Sequence, residues 1–208
     1  FLTEAKLSQD KDKTAMVERV GNNIVNAVNL YGKQIGIDTS SFNWEVKLVE
    51  DDTVNAWCMP GGKIVVYTGI LKYANSDDKL AIVVGHEIAH AIARHGSERM
   101  SQQLAVSGIA FFSEQALKDK PEQTQQAFMT AFAVGAQYGI LLPYSREHEH
   151  EADEIGLLLS TLAGYNPDVA AEFWKDMSAE GGDSNIDFFS THPATQKRIE
   201  RLTELAPK

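Results

Sequence analysis

The sequence predicts a mostly helical α+β fold in which a small antiparallel sheet of about three strands precedes a histidine-bearing helix. Two observations support this fold class. Apolar residues recur at helical spacing near the amino end and through most of the second half. Between these regions lie three short stretches with the composition or alternation of strands. Because 208 residues suffice for one sizeable hydrophobic core, we expect a single domain over residues 1–208.

The first helix and the sheet are predicted from their apolar periods. The helical period runs through Met16, Val17, Val20, Ile24, Val28 and Tyr31, and Gly36 is a plausible stop. "FNWEVKLVE" (residues 42–50) alternates apolar and polar side chains, as a half-buried strand does. "VNAWCM" and "KIVVYTG" follow as two further strands, and Pro60, Gly61 and Gly62 between them predict a hairpin turn.

The helices that follow the sheet are predicted from cap residues and breakers. "NSDDKLAIVVGHEIAHAIARH" begins with the cap formers Asn75 and Ser76, and we expect helix to about Arg94. Residues 97–142 indicate a helical hairpin interrupted at Pro121. Further helices are predicted at about 144–163, 167–179 and 194–205, with a Gly, Asp and Ser loop before the last of them.

Composition restricts the classes of function. The 43% hydrophobic and 23% charged content is typical of a soluble globular protein, and the net charge of −10 argues against binding to nucleic acid phosphates. The single cysteine, Cys58, excludes an internal disulfide and a Cys-rich metal cage, and we interpret it as a buried strand residue. Apolar runs such as "AFMTAFAVGAQYGILL" are broken by polar and glycine residues, so no membrane-spanning segment is expected.

The stretch "VVGHEIAHAIARHG" carries the chemistry. His86 and His90 are four residues apart on a helix, so both rings can bind one metal ion, and Glu87 stands beside that ion as a general base. A bound zinc ion lowers the pKa of water to about 7, which permits hydrolysis at neutral pH. The alternative is an exposed polar helix face, but the apolar flanks oppose it because unpaired polar groups there would be costly to bury.

A catalytic zinc site needs a third protein ligand. In "SREHEHEADEIG", Glu149 lies on one helical face with Asp153, Ala152 and Gly156, and the two small residues allow that helix to approach the first closely. Glu149 is therefore the predicted ligand, and Asp153 is placed to accept a proton from a ligand histidine. We interpret the flanking residues as a solvated charged run, and His95 as a helix-end residue; the flanking residues are Glu147, His148, His150 and Glu151.

These motifs together resemble a known family. "GHEIAHAIARH", then "LLPYSREHEHEADEIG" and "STHPATQKRIERL", are similar to the HtpX and CAAX-prenyl-protease-like gluzincin metallopeptidases. The resemblance implies a zincin-like minigluzincin fold and one Zn2+ per chain in a metallopeptidase catalytic domain. It also implies the same roles as the spacing argument, with zinc bound by His86, His90 and Glu149, Glu87 as base and Asp153 in support.

The resemblance extends to substrate binding. It implies that "NAWCMPGG" is the edge strand of the cleft, where Asn55 and Ala56 pair with substrate backbone; the alternative is ordinary sheet pairing. His192 in "THPAT" matches the family's late histidine, which could donate to an oxyanion or cap the zinc at rest. A helix-entry role before Pro193 is the alternative, and Arg198 is a weaker candidate for the same neighbourhood.

From the resemblance we expect a zinc endopeptidase that acts on unfolded or misassembled polypeptides in cell-envelope quality control. The expected setting is the bacterial periplasm, with peripheral membrane or lipoprotein association through an amino-terminal segment absent from this sequence. Two alternatives stay open: a zinc-containing, chaperone-like adaptor with a latent site, and a zinc hydrolase acting on bonds other than peptides. The oligomeric state is not predicted.

Overall fold

The computed structural model describes residues 4–180, 187–193 and 195–206, and it confirms the mostly helical α+β fold. The strands are β1 (Glu45–Val49), β2 (Ala56–Met59) and β3 (Lys63–Tyr67). The helices are α1 (Lys11–Tyr31), α2 (Asp77–Ile92), α3 (His95–Leu117), α4 (Glu122–Ala136), α5 (Leu142–Leu162), α6 (Val169–Glu180), α7 (Asp187–Thr191) and α8 (Gln196–Leu205). Helix α7 was not predicted, and most of the predicted Gly, Asp and Ser loop lies outside the described residues.

The three-stranded sheet is mixed, so the prediction of a purely antiparallel sheet is wrong. Strands β2 and β3 form the predicted hairpin, and Gly61 and Gly62 supply the positive φ angles of 92° and 94° that its turn requires. The hairpin places β3 in the centre, in the order β1-β3-β2. Because the chain reverses twice between β1 and β3, those two neighbours run parallel. The consecutive buried residues Ile64, Val65 and Val66 are typical of such a central strand.

Helix α2 begins and ends close to the predicted limits. The Ser76 side chain caps its first turn by accepting from the Lys79 backbone N–H. The helix ends at Ile92, and Arg94 then adopts a left-handed conformation with φ 60°. His95 therefore begins α3 and does not end α2, which corrects its predicted position.

Helices α2 and α5 pack with direct backbone contact. A Cβ atom added to Gly156 would lie 2.7 Å from the His86 backbone nitrogen, and one added to Gly85 would lie 2.7 Å from the Gly156 carbonyl oxygen. The Ser160 hydroxyl also donates to the Ala81 carbonyl of α2 at 2.8 Å. The predicted close approach through small residues is thereby confirmed, and it places α5 immediately beside the backbone of His86.

The chain forms two compact units: Phe1–Ala93 with His150–Lys208, and Arg94–Glu149. The core of the first unit brings together α1, the sheet, α2 and α6. Its buried apolar residues include Val17, Val20, Ile24, Val46, Leu48, Ile64, Val66, Leu80, Val83, Val84, Ile88, Phe173, Trp174 and Met177. In the second unit, large apolar side chains of α3 and α4 are exposed. The expectation of one catalytic domain over residues 1–208 stays a prediction.

Among the described residues, one helical stretch is long and apolar enough to cross a membrane, by length and composition only. It runs from Glu122 to Leu162 over 41 residues, and only 6% of its most apolar window is buried. No such segment was predicted, because glycine and polar residues interrupt the apolar run. In the structure the helix continues through them by way of a π-helical turn at Gln137–Leu141.

Candidate metal centre

Four side chains bring potential metal-binding atoms together. His86, His90, Glu149 and His192 each offer one such atom, and all four atoms lie within 4.8 Å of one another. Two of these residues come from one face of α2, as the four-residue spacing predicted. Glu149 comes from α5, and His192 follows directly after α7. The four residues form a candidate site for a divalent metal ion.

The nitrogen atoms of the cluster are spaced as metal donors are. His86 Nε2 lies 3.0 Å from His90 Nε2 and 3.3 Å from His192 Nδ1. Donors about 2.0–2.1 Å from one tetrahedral ion are separated by about 3.3 Å, so these distances fit that arrangement. One hydrogen atom can bridge only one pair of nitrogens, whereas a cation satisfies all the lone pairs at once.

Burial and charge also fit a cation. His86 and Glu149 are 1% and 4% exposed, and Glu87 and His192 are buried with them. Asp153 and Arg198, which lie next to His86, are buried too. With neutral histidines, these residues carry three carboxylates and one guanidinium, an excess of two negative charges. Concentrating negative charge in a buried site is costly, and a divalent cation would neutralise this excess.

Asp153 lies behind His86, on the side of the ring away from the donor cluster. Its Oδ1 lies 3.0 Å from His86 Nδ1, so His86 can keep its proton on Nδ1 and turn the lone pair of Nε2 into the cluster. Burial raises the pKa of Asp153, but hydrogen bonds from Arg198 and His86 outweigh it, and the pKa lies below the ordinary 3.8. The carboxylate is therefore ionised, as the role proposed for Asp153 requires.

The Glu87 carboxylate lies beside the cluster, next to His192. Its Oε1 is 3.5 Å from His192 Nε2, while His192 Nδ1 faces His86. Cys58 of β2 is close enough for this carboxylate to affect its thiol: burial raises the thiol pKa, and the charge of Glu87 raises it further. A thiol held protonated is a poor nucleophile and ligand. Cys58 lies in a strand, as predicted, but it is only partly buried.

The predicted substrate-binding residues lie at the start of β2: Asn55 directly precedes this strand, and Ala56 is its first residue. Strand β2 is at an edge of the sheet, bonded to β3 alone among the described strands. The Asn55 carbonyl accepts from the Tyr67 N–H, which is ordinary sheet pairing. The Ala56 N–H donates to the Asn55 side-chain oxygen at 2.8 Å. A substrate strand at this position would compete with that side chain, and the substrate-binding role of both residues stays a prediction.

Two histidines of the charged stretch at residues 147–151, here called the carboxylate-rich run, are buried. The prediction that they are solvated is therefore wrong. His148 and His150 are each 8% exposed, although Glu147 and Glu151 face solvent as expected. In the second unit, the His148 ring stacks on His95 with centroids 4.3 Å apart, and His148 Nε2 lies 2.8 Å from Glu98 Oε2. The partners are about 50 residues away along the chain, and no local pattern indicates them.

Trp174 is a residue of the site that sequence reasoning missed. Its ring lies 5.7 Å from the His86 ring between centroids, and the Arg198 guanidinium carbon lies 4.3 Å from the centre of the Trp174 ring. A tryptophan on a helix normally indicates core packing, and Trp174 is indeed 1% exposed. Its contact with two polar residues of the site became visible only in the fold.

Comparison with known proteins supports the family resemblance. The profile described as Peptidase family M48 matches residues 11–206. Mitochondrial metalloendopeptidase OMA1 of Schizosaccharomyces pombe is 39% identical over 171 residues, which cover 81% of this chain and 48% of that protein. The protein of the same name from Arabidopsis thaliana is 40% identical over 162 residues, covering 78% of this chain and 31% of its own length.

A more distant similarity is to the beta-barrel assembly-enhancing protease of Escherichia coli (strain K12), which is 25% identical over 157 residues. These residues cover 73% of this chain and 32% of that protein. The matched residues thus span 31–48% of the length of these relatives. The predicted periplasmic location in a bacterial envelope is wrong, because the relatives with 39–40% identity are mitochondrial proteins.

Proposed function

The chain belongs to peptidase family M48, and from this premise we propose that it is a zinc-dependent endopeptidase acting on unfolded or misassembled polypeptides. One observation carries the proposal. The donor atoms of His86, His90 and Glu149 converge within 4.8 Å, and the Glu87 carboxylate is buried beside them. A site with only a structural role has no need of that extra carboxylate.

Zinc is the metal that this donor set favours. Imidazole nitrogens with one carboxylate are the ligands of catalytic zinc in peptidases, whereas magnesium and calcium take oxygen ligands. When bound, zinc would activate water and polarise the carbonyl of the scissile bond. Asp153 supports the site by holding the Nδ1 proton of His86, so that Nε2 faces the donor cluster.

Glu87 and His192 are assigned the proton chemistry. We propose that Glu87 accepts a proton from the attacking water and then donates it to the departing amine. His192 lies next to it, with Nε2 3.5 Å from Glu87 Oε1, and in this proposal it donates to the oxyanion that forms on the substrate. Both side chains are buried, where solvent competes little for these hydrogen bonds.

Metal removal tests the proposed function. We expect a strong zinc chelator to reduce hydrolysis of a denatured protein to the background rate, because both the nucleophile and the polarised carbonyl depend on the ion. One equivalent of zinc per chain should restore the rate, as followed by gel densitometry with metal analysis of the same samples. Hydrolysis that continues at the original rate in a demonstrably zinc-free sample would contradict the proposal.

A zinc-containing adaptor is the second candidate, because the donor cluster includes His192. Four protein donors can close a zinc site and leave no position for water. The same experiment separates the two candidates. Stoichiometric zinc without hydrolysis of any of several unfolded proteins would favour the adaptor, and zinc-dependent cleavage favours the peptidase.

For the setting of the protein, we propose the mitochondrion, because the relatives from Schizosaccharomyces pombe and Arabidopsis thaliana are named as mitochondrial proteins. Peripheral membrane association is supported by the second unit. Residues 123–145 contain no Asp, Glu, Lys or Arg, and Phe112 and Tyr138 are 72% and 69% exposed. Such a surface suits the apolar part of a bilayer.

We expect the double substitution Phe111→Ser and Phe112→Ser to weaken binding to phosphatidylcholine vesicles at least about tenfold, since burying one phenylalanine contributes about 1.5–3 kcal/mol. Vesicle flotation measures this binding. Leu30→Ser is the matched control, because Leu30 is 69% exposed on α1 of the other unit. Equal binding by the double variant and the control, or no binding by the native chain, would refute membrane association through this surface.

A further inference from the structure

Arg198 is a buried cation that makes polar contacts inside the site. It is 2% exposed, and its guanidinium binds both oxygens of Asp153, with Nε–Oδ2 at 2.7 Å and Nη2–Oδ1 at 2.8 Å. The third nitrogen, Nη1, donates to the Pro193 carbonyl at 2.9 Å. The flat face of the group lies over the Trp174 ring. Buried charges of this kind are normally paired and hydrogen-bonded, as here.

These contacts connect the two sides of the donor cluster. Asp153 Oδ1 accepts a hydrogen bond from Arg198 Nη2, and the same oxygen is 3.0 Å from His86 Nδ1. The Pro193 carbonyl accepts a hydrogen bond from Arg198 Nη1, and Pro193 directly follows His192 in the chain. One rigid planar group therefore fixes the carboxylate behind His86 and the backbone next to His192.

We propose that Arg198 is a positioning residue that sets the orientation of His86 and His192 together, and that it does not bind substrate. The inference rests on the proposed zinc peptidase function and deepens it. It also revises the role expected from the sequence, because each of the three guanidinium nitrogens already donates a hydrogen bond to Asp153 or to the Pro193 carbonyl.

Substitution by lysine separates positioning from charge. Arg198→Lys keeps the positive charge near Asp153, but a single ammonium group cannot bind both carboxylate oxygens, reach Pro193 and stack on Trp174 at once. Arg201→Lys is the matched control. Arg201 lies three residues further along α8 and also pairs with a carboxylate of α5, that of Glu154, but this pair is exposed.

We expect Arg198→Lys to lower zinc affinity about 10- to 100-fold, as loss of an outer hydrogen-bonding partner does. Competition with a chromophoric chelator measures this affinity. The visible absorption of the Co2+-substituted protein should also change, because it reports ligand geometry, and kcat should fall with little change in KM. Arg201→Lys should match the native chain in all three measurements.

Two results would overturn the inference. An unchanged zinc affinity and cobalt spectrum with a raised KM would return Arg198 to substrate binding. Lower thermal stability with native affinity and spectrum would make its role purely structural. If the lysine variant does not fold, the double variant Asp153→Asn and Arg198→Gln replaces the ion pair with neutral amides, strands no buried charge, and should show the same loss of affinity.

These readouts are independent of the proposed reaction. Zinc affinity and the cobalt spectrum are measured without substrate. If the native chain cleaves no polypeptide but Arg198→Lys still alters both, the peptidase assignment fails while the positioning role stands. If the native chain cleaves polypeptides, but Arg198→Lys changes neither zinc affinity nor the cobalt spectrum, the peptidase assignment stands and the positioning role fails.

Discussion

Glu87→Gln is expected to lower kcat for hydrolysis of an unfolded protein by about 10²- to 10⁴-fold, the usual contribution of a general base. Glutamine has nearly the same size as glutamate and can still form hydrogen bonds at this site, where Glu87 is 3% exposed. It cannot accept the proton of the attacking water. The reaction should therefore be lost while the fold and the donor cluster are preserved. Initial rates of cleavage under substrate saturation give kcat.

Metal content and a matched variant make this result interpretable. Zinc should stay at one equivalent per chain in Glu87→Gln, since His86, His90 and Glu149 are untouched. Glu147→Gln makes the same chemical change on the exposed side of the carboxylate-rich run and should cleave at the native rate. If Glu87→Gln also cleaves at that rate with zinc bound, Glu87 is not the base.

The sequence predicted the local elements well because their signals are local. The cap at Ser76, the paired positive-φ glycines of the hairpin and the four-residue spacing of His86 and His90 each act within a few residues of the chain. The direction of β1 was mispredicted for the same reason. Alternating burial indicates which face of a strand is covered, but it does not indicate which neighbour pairs with that strand.

The candidate site was predicted where small residues and spacing constrain it. Gly156 predicted the close approach of α5 to α2, which the contact with His86 confirms. The role now proposed for Arg198 could not be predicted from the sequence. Its partner Asp153 is 45 residues away, and a charged residue in an amphipathic helix usually faces solvent. Trp174 was out of reach too, since an aromatic residue of the core carries no sign of the polar group it will contact.

Removal of the carboxylate ligand should have the other large effect. We expect Glu149→Ala to weaken zinc binding by more than the about 10- to 100-fold that loss of an outer partner causes, because a donor to the ion itself is removed. Chelator competition measures the affinity, and hydrolysis should fall with the zinc content at limiting metal. Glu147→Ala, two residues earlier and exposed, should leave both unchanged. If Glu149→Ala retains native zinc affinity, Glu149 is not the third zinc ligand.

His192 determines how complete the loss in Glu149→Ala is. Without Glu149, the three imidazoles of the donor cluster can still hold zinc if His192 binds it at rest, since three histidines form a known zinc site. If His192 binds zinc at rest, Glu149→Ala combined with His192→Ala leaves only His86 and His90, and that double variant should bind zinc far more weakly than either single variant. If His192 serves only as a proton donor, His192→Ala alone retains native zinc affinity and loses kcat, and adding it to Glu149→Ala causes no further loss of zinc.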